Sequence, residues 1–283
     1  MRWFSMLLDG KLLGFSPHYR FAVRRFFCII TLSTTKINMT ILSQIPPHTN
    51  GFMGIGIGYW LVMGGSMLLS FLISSRLKSR FNEYSQIPLR FSGAEVARLM
   101  LKQNGITDVQ VVHVGGHLTD HYDPVQKTVN LSEAVYQMNS VAAAAVAAHE
   151  CGHAVQHQQA YAWLGFRSKM VPIVNIASQL MNVVMMLGLV GMFALGNSAL
   201  IWVIVGCLVV TTLFSLVTLP VEFDASRRAM VWLEQSGLAN AMEHDRAKNA
   251  LFWAAMTYVA GAIGSVSMLM YYVMQLMGGR RSE

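Results

Sequence analysis

Four apolar runs, Phe52–Ile73, Val171–Leu195, Ala199–Leu219 and Leu251–Met277, constrain this chain more than any other feature. Each is long enough to cross a bilayer, whose hydrocarbon core takes about 20 apolar residues of helix. The second is the least apolar, and small residues break up the fourth. Composition agrees, since 54% of the 283 residues are hydrophobic and only 12% are charged; soluble proteins average about 25% charged. The expected class is a mainly α, multi-pass membrane protein. The net charge of +7 does not point to nucleic acid, because the bases stand beside the apolar runs and not on one face interleaved with aromatics. Cys28, Cys151 and Cys207 form no CxxC and cannot all pair, which fits a reduced, cytosolic setting.

Charge beside the runs sets an expected orientation. Arg76, Lys78, Arg80 and Arg90 follow the first run, whereas Lys36 is the only base close before it, so the segment after Ile73 belongs in the cytosol. Residues 1–50 carry six bases against one acid and show no signal-peptide cleavage pattern. That basic extension would lie outside, against the same rule. One resolution is that translation starts at Met53 and the extension is not part of the working protein. The remaining organisation reads as a transmembrane helix at 52–73, a cytosolic region at 74–170, and a transmembrane hairpin at 171–219 that turns near Gly196-Asn197-Ser198. A cytosolic segment at 220–248 and a last span at 251–277 complete it. The last span would carry Arg280 and Arg281 outside, so it is either transmembrane or re-entrant.

Within 74–170, Gly93–Gln103 has apolar residues at helical spacing and stops at Asn104-Gly105. Short strands follow at Val109–Val114, Leu118–Tyr122 and Thr128–Leu131, separated by Gly115-Gly116 and Asp123-Pro124. An edge strand of such a sheet can hold an extended peptide through main-chain hydrogen bonds.

The string His149-Glu150-Cys151-Gly152-His153 carries the chemistry. Histidines four apart stand one helical turn apart and can bind one metal, and the glutamate between them is placed to take a proton from a metal-bound water. The motif closes the run Ser140–His157, which reads as an Ala-rich helix with Ser140 as N-cap. Two histidines need a third ligand. His157 lies about 12 Å from His149 along the helix axis, too far to share a metal with it. The extended pattern HExxHxxGxxH also fails, since its glycine position is Gln156 and its last histidine is Gln159. Glu222 is the better candidate: Thr211, Ser215, Thr218 and Glu222 share one face if the helix continues through Pro220. A carboxylate at a membrane boundary needs a partner, and the alternative to a metal is a salt bridge to Arg227 or Arg228. In the second run, Asn175, Ser178, Gln179 and Asn182 form a polar stripe expected to turn inward and hydrogen-bond between helices, the alternative being a water or substrate path near the metal.

These strings, with LTDHYDP at Leu118–Pro124, VNLSEAVY at Val129–Tyr136 and LPVEFDASRRA at Leu219–Ala229, resemble the YugP-like family of bacterial membrane zinc metallopeptidases. The resemblance runs from about Met53 to the end, and the basic first fifty residues depart from it. It implies a zincin-like cytosolic catalytic part with a small β-sheet and an HExxH helix. It also implies Zn2+ held by His149, His153 and Glu222, with Glu150 as the catalytic base. A more distant similarity is to the HtpX-like membrane proteases, whose late glutamate is followed four residues on by an aspartate. Here that position is Ser226, and the nearby Asp224 is turned by the helix to a different face. Asp224, His121 and Tyr122 stand as candidates for supporting the ligands or the oxyanion, beside Asp120 in the same segment.

The expected function is membrane-anchored, zinc-dependent peptide hydrolysis in the bacterial inner membrane, with the site facing the cytosol. Its partners are the bilayer and membrane-proximal polypeptides. The rival is a non-catalytic membrane scaffold with a structural metal site; it needs a closed, four-ligand site and has no use for a base at Glu150. An intramembrane protease pairs HExxH with an LDG motif, and the one LDG here is Leu8-Asp9-Gly10, inside the basic extension.

Overall fold

Long apolar segments become long helices, and the computed structural model describes them over residues 56–116, 118–189 and 198–279. The basic extension, the turn at Gly196-Asn197, and Arg280 and Arg281 lie outside the described residues. The first helix, α1 (Ile57–Ser85), outruns the expected apolar run and buries only Ile73 and Tyr84. Helix α2 (Gly93–Gln103) opens with a capping box: Ser92 Oγ accepts from the Glu95 amide, and Glu95 Oε2 accepts from the Ser92 amide. Such reciprocal capping satisfies two backbone donors that a helix start would leave free. It stops at Asn104, with Gly105 in the left-handed region at φ 69°.

Three strands follow, β1 (Gln110–Val114), β2 (His121–Asp123) and β3 (Thr128–Ser132), in the order β1-β3-β2. β3 is central, parallel to β1 with Val112 opposite Asn130, and antiparallel to β2 with Tyr122 opposite Val129. Its Val129 and Leu131 are fully buried. The strand expected at Leu118–Tyr122 begins at His121 instead, because Leu118 takes φ 58° and cannot enter a ladder. One helical turn, α3 (Glu133–Tyr136), leads into α4 (Val141–Gln158). Ser140 caps α4, its Oγ accepting from the Ala143 amide at 3.2 Å. Alanines make α4 narrow enough to be buried on nearly every side, against α2, the sheet and the last two of the helices described next.

Helices α5 (Ala162–Leu189), α6 (Ser198–Ser236) and α7 (Ala241–Gly279) complete the chain. Among the described residues the chain is mainly helical with one small sheet, and four helices, α1 and α5 to α7, are long and apolar enough to cross a membrane. α6 does not end at Pro220. Proline removes one backbone donor and leaves the Leu216 carbonyl without its usual partner, yet the helix runs on to Ser236 because its lower half is held against α4. Trp232 and Tyr84 tie this end together, donating to Gln103 and Asn249 respectively. The polar stripe on α5 does not turn inward: Asn175, Ser178, Gln179 and Asn182 are exposed and hydrogen-bond to nothing among the described residues. The side of α5 that faces the bundle is the line Met170, Ala177 and Val184, which lies well round the helix from the stripe.

Ser140→Ala leaves the Ala143 amide without its acceptor in a buried setting, and should cost about 1–2 kcal/mol. Thermal unfolding of the detergent-solubilised protein measures this; an unchanged midpoint would remove the cap from the account of α4.

Candidate metal centre

HECGH lies in the middle of α4, where i and i+4 share a face, and the two imidazoles meet edge to face with centroids 4.9 Å apart. Gly152 brings α6 against that face. A Cβ at this position would stand 2.6 Å from the Ala225 carbonyl oxygen and 3.1 Å from its Cα, so a side chain here would meet backbone. This close approach carries Glu222, one turn earlier on α6, to the histidines. Its Oε2 lies 3.3 Å from His149 Nε2 and 3.6 Å from His153 Nε2, and the three ligand atoms all fall within 4.8 Å of one another. A tetrahedral ion with bonds of about 2 Å would space its ligands roughly 3.3 Å apart.

The hydrogen bonds behind the ligands decide which atoms face the centre. Gln156 Nε2 donates to the Val221 carbonyl at 2.8 Å and to Asp224 Oδ2 at 2.9 Å. The carbonyl can only accept, which fixes the amide's orientation, so Gln156 Oε1 accepts from His153 Nδ1 at 3.0 Å. The proton is then on Nδ1, and Nε2 offers a lone pair on the Glu222 side. His149 Nδ1 meets Ser226 Oγ at 3.1 Å, which likewise leaves its Nε2 for the centre. Glu222 Oε2 is the one buried side-chain polar atom without a hydrogen-bond partner among the described residues. Three lone-pair donors converging with nothing between them repel, and a cation resolves that repulsion. Two neutral imidazoles and a carboxylate are a zinc donor set, so the residues fit the metal.

Glu222 is buried with 2% of its side chain exposed, and its other oxygen, Oε1, accepts from Arg167 Nη1 at 3.1 Å. The salt bridge that the sequence offered as an alternative goes elsewhere, for Arg227 and Arg228 both pair with Asp224. Glu150 is 9% exposed, and among the described residues its carboxylate makes no hydrogen bond or ion pair. Cys151 points away, toward the Ala97 carbonyl on α2, and burial pushes its thiol pKa far up, so it is no ligand. Burial works against a charged His153, but the Glu222 carboxylate, helped by Glu150 and Gln156, more than offsets it and raises the imidazole above its ordinary value.

The other candidates spread out. Asp224 reaches the centre only through Gln156. Asp120 ties the chain before β2 to the end of β3, accepting from the Ser132 amide and hydroxyl. His121 Nδ1 lies 2.7 Å from the Thr119 carbonyl, and Tyr122 Oη lies 2.8 Å from His157 Nδ1. Among the described residues no hydrogen bond or ion pair joins Asp120, His121 or Tyr122 to His149, His153 or Glu222. Sequence reasoning does not give Gln156, Ser226 or Arg167 these partners; the signals present are the basic side chain of Arg167 beside an apolar run and the place of Ser226 four residues after Glu222.

The family model described as "Putative neutral zinc metallopeptidase" matches residues 59–277. The chain belongs to that family. It is also 43% identical over 214 residues to the "Putative membrane protease YugP" of Bacillus subtilis (strain 168), an alignment that covers 75% of this chain and 93% of that protein. No solved structure matches. The match spans every element that builds the centre, from α2 to α7.

Alanine is a better helix former than glycine by about 1 kcal/mol, so Gly152→Ala would stabilise α4 were the Ala225 contact absent. With that contact, overpacking costs about 1–3 kcal/mol, and both the unfolding midpoint and zinc affinity should fall together. A midpoint that rises would show that the helix contact is not tight. A second expectation concerns pH. Because His153 binds its proton more tightly than a free histidine, protons compete with metal from above the ordinary value of 6.5 downward. Zinc affinity should therefore weaken progressively as pH falls through that range, with proton release on binding at neutral pH; calorimetry in buffers of different ionisation enthalpy reads both. Affinity flat from neutral to mildly acid pH would contradict the raised value.

Proposed function

We propose that this chain is a membrane-anchored zinc metallopeptidase that hydrolyses peptide bonds with Glu150 as general base. The observation that carries this reading is the convergence of His149 Nε2, His153 Nε2 and Glu222 Oε2, the last without a hydrogen-bond partner among the described residues, with Glu150 next to His149 on α4. Zinc held by these three residues would supply a Lewis acid that polarises the scissile carbonyl and acidifies water. Glu150 accepts the proton of the attacking water and delivers it to the leaving amine. Arg167 holds Glu222 by Oε1, so that one oxygen alone faces the centre. Among the described residues β2 ends the sheet and lies beside α4, and an extended substrate could add at such an edge by main-chain hydrogen bonds.

The four apolar helices support an anchored enzyme acting on membrane or membrane-proximal polypeptides. Arg76, Lys78, Arg80 and Arg90 after the first apolar run favour a cytosolic site in a bacterial inner membrane. In this scheme 52–73 anchors the region 74–170, the hairpin 171–219 returns the chain, and 220–248 supplies Glu222 before the last span at 251–277. A scaffold with a structural metal would call for a fourth ligand, and the described residues gather only three.

The test is zinc content and casein hydrolysis on detergent-purified protein. Wild type should hold about one zinc and lose hydrolysis to a chelator, with zinc restoring it. Glu150→Gln should keep the metal and lose about 10²–10⁴-fold in rate, whereas Glu222→Ala should lose both. Metal retained unchanged in Glu222→Ala would undo the ligand assignment, and full activity in Glu150→Gln would undo the base.

A further inference from the structure

Gln156 is fully buried, one helical turn beyond His153, in a position where both amide hydrogens and the carbonyl oxygen of its side chain are used. Two of them reach α6, at the Val221 carbonyl and at Asp224 Oδ2, and the third receives the His153 Nδ1 proton. Asp224 is itself 8% exposed and holds two guanidinium groups, Arg227 on Oδ1 and Arg228 on Oδ2. Arg228 continues to Gln159 Oε1 at the end of α4, closing a loop of contacts between the two helices. The result is a chain from carboxylate to amide to imidazole. The two arginines keep the carboxylate charged, and the amide passes its polarisation to the ring.

We propose that Gln156 is a positioning residue for the metal centre. It holds His153 in the Nδ1–H tautomer and fixes the ring plane, while Asp224 with Arg227 and Arg228 holds the amide. This rests on the zinc reading of the site. The physical need is specific. An imidazole that carries its proton on Nε2 turns no lone pair toward Glu222, and one free to rotate is not held there, and partners behind ligating histidines are worth about 10–100-fold in metal affinity. An apolar residue of the same size would fill the space and leave the ring undirected. A glutamate would accept from His153 but face the Asp224 carboxylate and the Val221 carbonyl with no proton to offer. Glutamine alone among side chains of this length donates twice to α6 and accepts once from the ring.

A purely structural role would be a staple between α4 and α6, and its loss would lower stability without touching the metal. The experiment therefore reads zinc affinity by competition with a chromophoric chelator, and the visible spectrum of the cobalt-substituted protein, which reports ligand geometry. Wild type, Gln156→Met and Asp224→Asn are compared as full-length protein in detergent, beside their metal-free unfolding midpoints. Gln156→Met should weaken zinc binding by about 10–100-fold and alter the cobalt bands. Asp224→Asn, which keeps Gln156 and its bond to Val221, should shift both in the same direction by less, and it decides the matter if Gln156→Met does not fold. A wild type that takes up no zinc overturns the reading of the site and this proposal with it. A wild type that binds zinc, with variants of unchanged affinity and unchanged cobalt spectrum, overturns the positioning role alone, whatever happens to their stability.

Discussion

Backbone contact between α4 and α6 at Gly152 and Ala225 is the constraint on which the rest depends. Glutamate has a short reach, and its Oε2 stands 3.3 Å from an imidazole nitrogen only because the two helices touch without a side chain between them. The contact also buries Glu222, which makes its partners obligatory: a buried carboxylate without compensation is strongly disfavoured. α4 can accept that approach because it is already fixed by alanines and small residues against α2, the sheet and α7. The centre is thus laid on a helix whose position the core sets independently, and precise sites generally need such rigid support.

Around the centre, charge is distributed so that the two acids are buried and their arginine partners reach outward. Glu222 and Asp224 are two residues apart on α6 and nearly inaccessible, while their partners Arg167, Arg227 and Arg228 remain 29%, 61% and 20% exposed along their side chains. Long arginine side chains bridge that difference in depth. The two acids do different things. Glu222 gives one oxygen to Arg167 and keeps the other directed at the histidines, while Asp224 spends both oxygens on its arginines and Gln156. Ser226, one turn beyond Glu222, completes the set by meeting His149 Nδ1.

Much of the candidate site could be read along the chain because its signals are local. The Ser140 cap, the alanine run and the histidine spacing all act within one helix, and they give α4 and its ligand face directly. Glu222 was reachable through spacing from Thr211, once α6 is continuous through Pro220. Gln156 appeared only as a residue that spoils an extended zinc pattern, and Gly152 only as a filler within HECGH. Their importance comes from contacts to Val221, Asp224 and Ala225 across more than sixty residues of sequence, which no local period records. The α5 stripe failed for the same reason: amphipathic spacing identifies a polar face, but which face meets the bundle depends on where α6 lies. Sheet order was equally hidden, since three short strands in sequence gave no sign that β3 would be central and parallel to β1.

By itself, then, the sequence determined the helices that can span a bilayer and the helix that carries HECGH, and it marked two histidines and a late carboxylate as candidate metal ligands with Glu150 as a candidate base. These follow from hydropathy over about 20 residues and from the 3.6-residue turn, both of which act on neighbours along the chain. Tertiary structure decided which oxygen of Glu222 faces the centre, which arginine holds which acid, and which nitrogen of His153 carries the proton. The physical reason is distance. Hydrogen bonds and ligand geometry are settled within about 3 Å, and that spacing exists only after Gly152 has let one backbone come to rest on another.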